Sequence, residues 1–416
     1  MHQQLEHAVQ TTLIHQRVKV ETPWWRTAIV CDLPGSYEDD DLRRLAKILP
    51  DVADTGFNAV LLRPADPLVE ESLPYLPKFV KKAHRLGLRV ISRVYLLPEG
   101  QSLDPLDSPP LLELSHDAAR INERVRAALD AGCDGVDLGK VEQGPETAGQ
   151  SEASEVFSES VRVQLAEVAS TDESVILTAA FSMQPEQFYK RHLEEEWFHH
   201  MRNNAILSSP WDAQVLQKSI ATTYRYHDAL GHTTAWRHSL PGWSGSAGAR
   251  DSEDIGWMKG ASEQRRTAMN LYVASLPGAI YLPFLSIGGA MKVRKPKGKA
   301  SRLRFSFGDG RQGRFRANTT AHALALREEQ DLGHAHLAFV RGFDWAGGDV
   351  AVHLTGPVMV VLNMGQAPVF VPSEHRLMVS SSPDHHMDSS GTEVPPDTCA
   401  WFMTATPEPV DPFNYR

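Results

Sequence analysis

The stretch Gly132-Cys133-Asp134-Gly135-Val136-Asp137-Leu138-Gly139 follows directly on an amphipathic pattern at Asp117–Ala131. We read the pattern as a helix and Gly135–Leu138 as a short strand. The same rhythm extends in both directions. Strands are expected at Ala28–Leu33, Ala59–Arg63, Arg89–Leu96, Val175–Phe181, Ala205–Ser208, Thr233–Trp236 and Ala279–Leu282. Helical patterns fall between them at Asp40–Asp54, Leu76–Leu86, Ala153–Ala169, Pro185–Glu195, Ala213–Leu230 and Ala261–Ser275, with another at Thr319–Glu329. Eight strand-then-helix units argue for parallel strands joined by crossover helices. For a chain of 416 residues, a closed (β/α)8 TIM barrel is the economical arrangement.

After residue 333 the helices stop. Leu337–Arg341, Val350–Leu354, Met359–Asn363, Val369–Val371, Leu377–Ser380 and Cys399–Thr404 are short β-branched runs between Gly, Pro, Ser and Asp. They predict a C-terminal antiparallel β-sandwich domain. The chain thus divides into an N-terminal extension (1–22), a barrel (23–332) and a C-terminal β domain (333–416). Two segments read as irregular: Gly242–Asp254, rich in Gly and Ser, and Lys292–Arg316, where ten basic residues face the single acid Asp309.

Composition narrows the function. A net charge of −10 argues against nucleic acid as a partner of the whole protein. The basic run lacks interleaved Trp or Tyr, which weakens that reading further. Two readings stand for it: a docking site for an acidic partner and, as the plainer one, a solvated loop. Cys31, Cys133 and Cys399 are odd in number and lack metal-like spacing, which fits a reducing compartment. Cys133 reads as a small buried residue rather than a nucleophile. The start of the chain shows no secretory pattern, and Leu271–Ile287 is interrupted by Pro277 and Pro283. The expectation is a cytoplasmic protein with no membrane span. His199-His200 and His385-His386 are adjacent pairs that cannot easily face one ion, so neither a metal nor another cofactor is expected.

Several segments carry a family resemblance. Pro23-Trp24-Trp25-Arg26 before the first strand resembles the opening of bacterial α-glucosidases and trehalose synthases. Gly56-Phe57-Asn58-Ala59-Val60, Ala83–Ile91, Ser209-Pro210-Trp211-Asp212-Ala213 and Leu276-Pro277-Gly278-Ala279-Ile280-Tyr281-Leu282 follow in the family's order. In the last domain, Val361-Leu362-Asn363-Met364 and Pro395–Trp401 match its β sandwich. Together these resemble the α-amylase family, glycoside hydrolase family 13. The resemblance implies retaining chemistry on α-glucosides, with a nucleophilic and an acid/base carboxylate roughly 5 Å apart.

At the positions where the family keeps those groups, this chain differs. Its G-x-D-G-F-R-x-D segment aligns with Gly132–Gly139, so Asp137 takes the arginine position and Gly139 the nucleophile position. The aspartate after the third strand aligns with Arg93, and the family's N-H pair with Leu97-Pro98. The G-E pair carrying the acid/base aligns with Thr178-Ala179. The seventh-strand N-H-D aligns with Arg237-His238-Ser239, which keeps only the histidine. The G-Y-D segment after the second strand is missing. Leu97–His116 is too short for the insertion domain that walls the family's sugar cleft.

The sequence therefore reads as an amylase-like pseudoenzyme with a binding, scaffold or regulatory role in carbohydrate metabolism, taking a protein partner or an α-glucan. Two alternatives remain open. One is a glycosidase or transglycosidase with a non-standard site built on Asp137 or Glu142, joined by Asp32. The other is a sugar sensor that binds without turnover. Ligand contacts are expected from His238, Trp236, Trp243 and Arg237, whereas Trp24 and Trp25 read as packing residues. Against the non-standard site stands a plainer reading, in which Asp137 pairs with Arg93 or Lys140.

Overall fold

The computed structural model describes residues 9–16, 22–34, 37–64, 73–94, 118–141, 175–184, 186–238, 256–294 and 302–404. The first strand, β1 (Gln10–His15), lies outside the barrel. The barrel closes from eight parallel strands in sequence order: β2 (Ile29–Asp32), β3 (Ala59–Leu62), β4 (Arg89–Arg93), β5 (Gly135–Val141), β6 (Ile176–Phe181), β7 (His200–Asn203), β8 (Ala235–Arg237) and β9 (Ala279–Pro283).

Side chains alternate across each strand. The outward set includes Cys31, Val60, Val90, Val136, Leu177, Ala179, Met201, Trp236 and Ile280, and packs beneath the helices. The inward set near the strand starts is Ala28, Val30, Ala59, Leu61, Ile91, Ile176, Ala235, Ala279 and Tyr281. These mostly small and branched residues fill the barrel, so it is a packed core and not a pore.

Several segments that carry the family resemblance do structural work. Asp212 caps the Ala213–Asp228 helix, accepting from the Gln214 and Val215 amides at 2.9 Å. The Pro277 carbonyl accepts from Tyr224 Oη at 2.9 Å and Trp236 Nε1 at 2.8 Å. Gly278 sits at φ 92°, where an added Cβ would meet the backbone of Thr234. Beside it the buried Arg327 donates to the carbonyls of Ala274, Leu276 and Gly278 at 2.6–2.9 Å, satisfying acceptors at the end of the Glu263–Ala274 helix.

Past the barrel, β10 (Gly289–Arg294) and β11 (Arg302–Phe307) form an antiparallel hairpin that leads into the Gly310–Glu329 helix. The C-terminal strands are β12 (Leu337–Arg341), β13 (Val350–Thr355), β14 (Val358–Asn363), β15 (Val369–Pro372), β16 (Arg376–Ser380), β17 (His386–Met387), β18 (Gly391–Val394) and β19 (Thr398–Met403). They build a six-stranded sheet, ordered β1-β12-β13-β14-β19-β16, and a three-stranded sheet, β15-β18-β17. Val352, Met359, Val361, Val371, Val394 and Phe402 fill the space between the two sheets. The opposite face of the larger sheet joins the barrel's own core through Phe339, Val360, Leu362 and Trp401. His353 reaches Ser275 Oγ from this face at 3.0 Å.

Four expectations are corrected. The sixth barrel strand is His200–Asn203, and Ala205–Ser208 is a helical turn. The apolar run Ala205-Ile206-Leu207 mimics a strand, whereas the true strand carries His200 and Arg202 inward and looks polar. The extension at 1–22 is not separate from the C-terminal domain, because β1 is the edge strand of its large sheet, paired with β12. The Asp40–Asp54 helix is two helices, Asp39–Leu45 and Leu49–Asp54, with Pro50 in the first turn of the second. The described part of Lys292–Arg316 is ordered hairpin and helix, in which Leu303 is buried and Phe305 packs edge-on against Tyr37. Glu142, Ser239, Trp243, the Ala153–Ala169 helix and the segments Gly242–Asp254 and Leu97–His116 lie outside the described residues.

Candidate functional site

The carboxyl ends of barrel strands form the mouth, where this fold class carries its sites. Continuing the inward parity of each strand by one step brings Asp32, Arg63, Arg93, Asp137, Thr178, Arg202 and Arg237 to that end. All of these residues are buried.

Asp137 is the hub and is fully buried. Its Oδ1 accepts from Arg93 Nε at 2.7 Å and from the Gly139 amide at 2.9 Å. Its Oδ2 accepts from Thr178 Oγ1 at 2.7 Å and from Arg202 Nη2. Four donors occupy the four acceptor positions a carboxylate offers. Burial alone would raise the Asp137 pKa. The Arg202 and Arg93 guanidiniums, with the Thr178 hydroxyl, outweigh burial and hold the carboxyl well below the usual carboxylate range. Asp137 therefore pairs with Arg93, as the plainer reading expects, and also with Arg202.

Gly139 explains itself locally. Its φ is 76°, and the register of β5 against β6 slips between Asp137 and Lys140. This bulge turns the Gly139 amide back onto Asp137. A left-handed position at a bulge favours glycine. Gly139 thus supplies a backbone donor to the buried carboxylate.

The second carboxylate is also engaged. Arg63 donates from Nη2 to Asp32 Oδ1 at 2.6 Å and from Nη1 to the Leu33 carbonyl. On the far side, His200 Nε2 meets the Trp25 carbonyl at 2.7 Å, so that nitrogen carries the proton. Nδ1 then accepts from Tyr281 Oη at 2.7 Å. Burial pushes the His200 pKa down to about 3, so the ring is neutral. Arg202 lies over the Tyr281 ring at 4.6 Å, in cation–π range.

The remaining expected ligand residues divide. Arg237 points into the barrel, and its Nε has no hydrogen-bond partner. Trp236 belongs to the outer core, with its indole bonded to the Pro277 carbonyl and packed edge-on against Tyr224. It is 1% exposed and cannot stack on a sugar. His238 packs against Trp257 on the helical side, and burial lowers its pKa to about 3. Ala179 likewise faces outward, so the inward positions of β6 are Thr178 and Ala180. In each case the alignment gives the correct strand and the alternation decides the face. Arg202 escaped the sequence reading because its strand was misplaced. A histidine and an arginine spaced two apart, followed by Asn203, was the only signal.

Among the described residues no cluster of three His, Cys, Asp or Glu side chains could hold a metal. His199 bonds the Leu177 amide at 3.1 Å while His200 faces inward, so the pair is split across the sheet. Cys133 is buried, and burial raises its thiol pKa to about 12. No helix among the described residues is long and apolar enough to cross a membrane.

No protein-family model and no curated protein sequence matches the chain. Solved structures do. Eubacterium rectale Amy13B superposes with a TM-score of 0.56 at 12% identity, covering 95% of this chain and 98% of that one. The Nostoc punctiforme debranching enzyme gives 0.56 at 12%, covering 93% and 100%. The chain has the fold of α-amylase-family enzymes. GBS pullulanase SAP, solved with maltotetraose, gives 0.57 at 9% identity and covers 95% of this chain and 72% of that one. At these identities the likeness concerns the fold.

Proposed function

We propose that this amylase-like barrel no longer cleaves glycosides by the two-carboxylate mechanism and serves as a binding or regulatory protein. The observation that carries the reading is the saturation of Asp137. A nucleophile or general base needs a free lone pair aimed at the substrate, and each lone pair of Asp137 already receives a donor. Its depressed pKa also makes it a poor proton acceptor. Asp32 Oδ1 is bound to Arg63. Gly139 has no side chain, and Ala179 faces away from the mouth.

The fold neighbours supply the candidate ligand class, since maltotetraose is bound by the GBS pullulanase. An α-glucan or a short oligosaccharide held without turnover is the form of the proposal closest to them. The test is turnover of maltose, trehalose, sucrose and aryl α-glucosides by the purified protein, alongside Glu142→Gln. We expect no turnover. Turnover abolished by Glu142→Gln would place a non-standard carboxylate in the site and end the pseudoenzyme reading.

A further inference from the structure

Among the described residues, the charges in the mouth do not balance. Four buried guanidiniums, Arg63, Arg93, Arg202 and Arg237, share two buried carboxylates, Asp32 and Asp137. Asp32 is taken by Arg63, while Arg93 and Arg202 divide Asp137 between them. Among the described residues Arg237 has no ion-pair partner. Three buried N–H groups are also left without an acceptor: Arg93 Nη1, Arg202 Nε and Arg237 Nε. An unsatisfied buried donor is costly, and an uncompensated buried charge more so. Burial, with Arg202 and Arg93 nearby, lowers the Arg237 pKa to about 9. Asp32 and Asp137 act in the opposite direction and do not cancel the fall.

Beside Arg202 the paired position on β6 is the small residue Ala180, so bulk is withheld next to one of the surplus donors.

We propose that the barrel mouth is a receptor for a dianionic oxyanion, held by Arg93, Arg202 and Arg237, and that phosphate or a phosphate monoester is its ligand. The surplus of two positive charges matches a phosphate dianion, and guanidinium groups suit its tetrahedral oxygens. A singly charged anion would leave one guanidinium uncompensated. The site does not depend on the glucan reading, because it rests on the arginines alone and is read out by binding and not by turnover.

The experiment is calorimetric titration and thermal unfolding of the full chain with inorganic phosphate, with glucose 6-phosphate, and with potassium chloride at matched ionic strength. We expect saturable binding and a rise in Tm with both phosphates and neither with chloride. Equal affinity for the two would place recognition on the phosphate group. Tighter binding of glucose 6-phosphate would show that the sugar is held as well. Arg237→Gln should weaken phosphate binding at least tenfold and leave the ligand-free Tm unchanged or higher, because it removes an uncompensated charge. Arg237→Lys should bind with intermediate strength and serves as the reading if Arg237→Gln binds too weakly to measure. Chloride acting as well as phosphate, or phosphate binding unchanged in Arg237→Gln or in Arg237→Lys, would overturn the proposal. So would a ligand-free Arg237→Gln as destabilised as a variant lacking Asp137, since the chain would then supply its own counter-charge.

Discussion

The two ends of the barrel interior are lined by the same eight strands and differ completely in kind. At the base, Ala28, Val30, Leu61, Ile91 and Ile176 pack as an apolar layer. One or two residues further along the same strands, Asp32, Arg63, Arg93, Thr178 and Arg202 form a hydrogen-bonded ionic layer. The base needs only shape and volume, and any hydrophobic set of the right size would serve. The mouth holds buried charges that are stable only while each partner remains in place. Such an arrangement is weak ground for stability and marks a position where something other than packing decides the residues.

Variants at the two ends test this contrast. The largest effect is expected from Asp137→Ala, which strands Arg93 and Arg202 without a buried counter-ion. It should cost about 3–5 kcal/mol, measured by urea unfolding. A loss below about 1 kcal/mol would mean that the mouth admits water and the contrast is overstated. Ile91→Ala at the base removes packing alone and should cost about 2–5 kcal/mol, set by how far the cavity closes. Its cost should not change with salt, whereas replacements at the mouth should respond to anions.

Acid should separate the two kinds of burial. His200, His227, His238 and His353 are buried, and burial lowers each pKa to about 3. Their ordinary value is about 6.5. A group depressed in the folded state gives stability that is complete above its unfolded pKa and lost as pH falls. The histidine contribution therefore declines between pH 6.5 and 3, by up to about 1.4 kcal/mol per pH unit for each ring. His353→Leu should flatten that slope by one ring's share, read from unfolding midpoints across the range. Asp137 is also depressed, so its contribution is lost only as pH falls below about 3.9, the unfolded value. Asp137→Asn should leave the upper window unchanged and flatten the lower one. A change in the upper window would show that Asp137 is coupled to a histidine. The smallest effect is expected at the surface. Lys292 pairs with Asp309 at 3.0 Å, and both are exposed, so Lys292→Ala should leave Tm unchanged within error.

Much of the scaffold was legible in the sequence because alternation and helical periodicity are local properties. β2, β3, β5, β6 and β9 fall where short apolar runs predict them, within a residue or a few of their ends. β7 was missed for a physical reason: a strand whose inward side chains are a histidine and an arginine lacks the apolar signal on which such reading depends. The hairpin of β10 and β11 was missed because its basic residues resemble a solvated loop, while the residues that order it, Leu303 and Phe305, are few. β1 was missed because its partner, β12, lies more than three hundred residues away.

The candidate site was legible in part. Alignment picked out Arg93, Asp137, Gly139 and Arg237, all of which reach the mouth. It also picked out Ala179 and His238, which face the helices, as does Trp236, chosen for its place near the mouth. A shift of one residue on a strand exchanges the two faces, and an alignment of a few identities cannot resolve one residue.

By itself, the sequence determined the barrel and the β domain that follows it. These follow from periodicity and from residue identity, which need no neighbours. Only the tertiary structure decided that Asp137 is saturated by donors from β4, β5, β6 and β7, and that Arg237 has no ion-pair partner among the described residues. Both depend on residues far apart in the chain converging at one end of a closed barrel, where buried charge must be counted across all eight strands together.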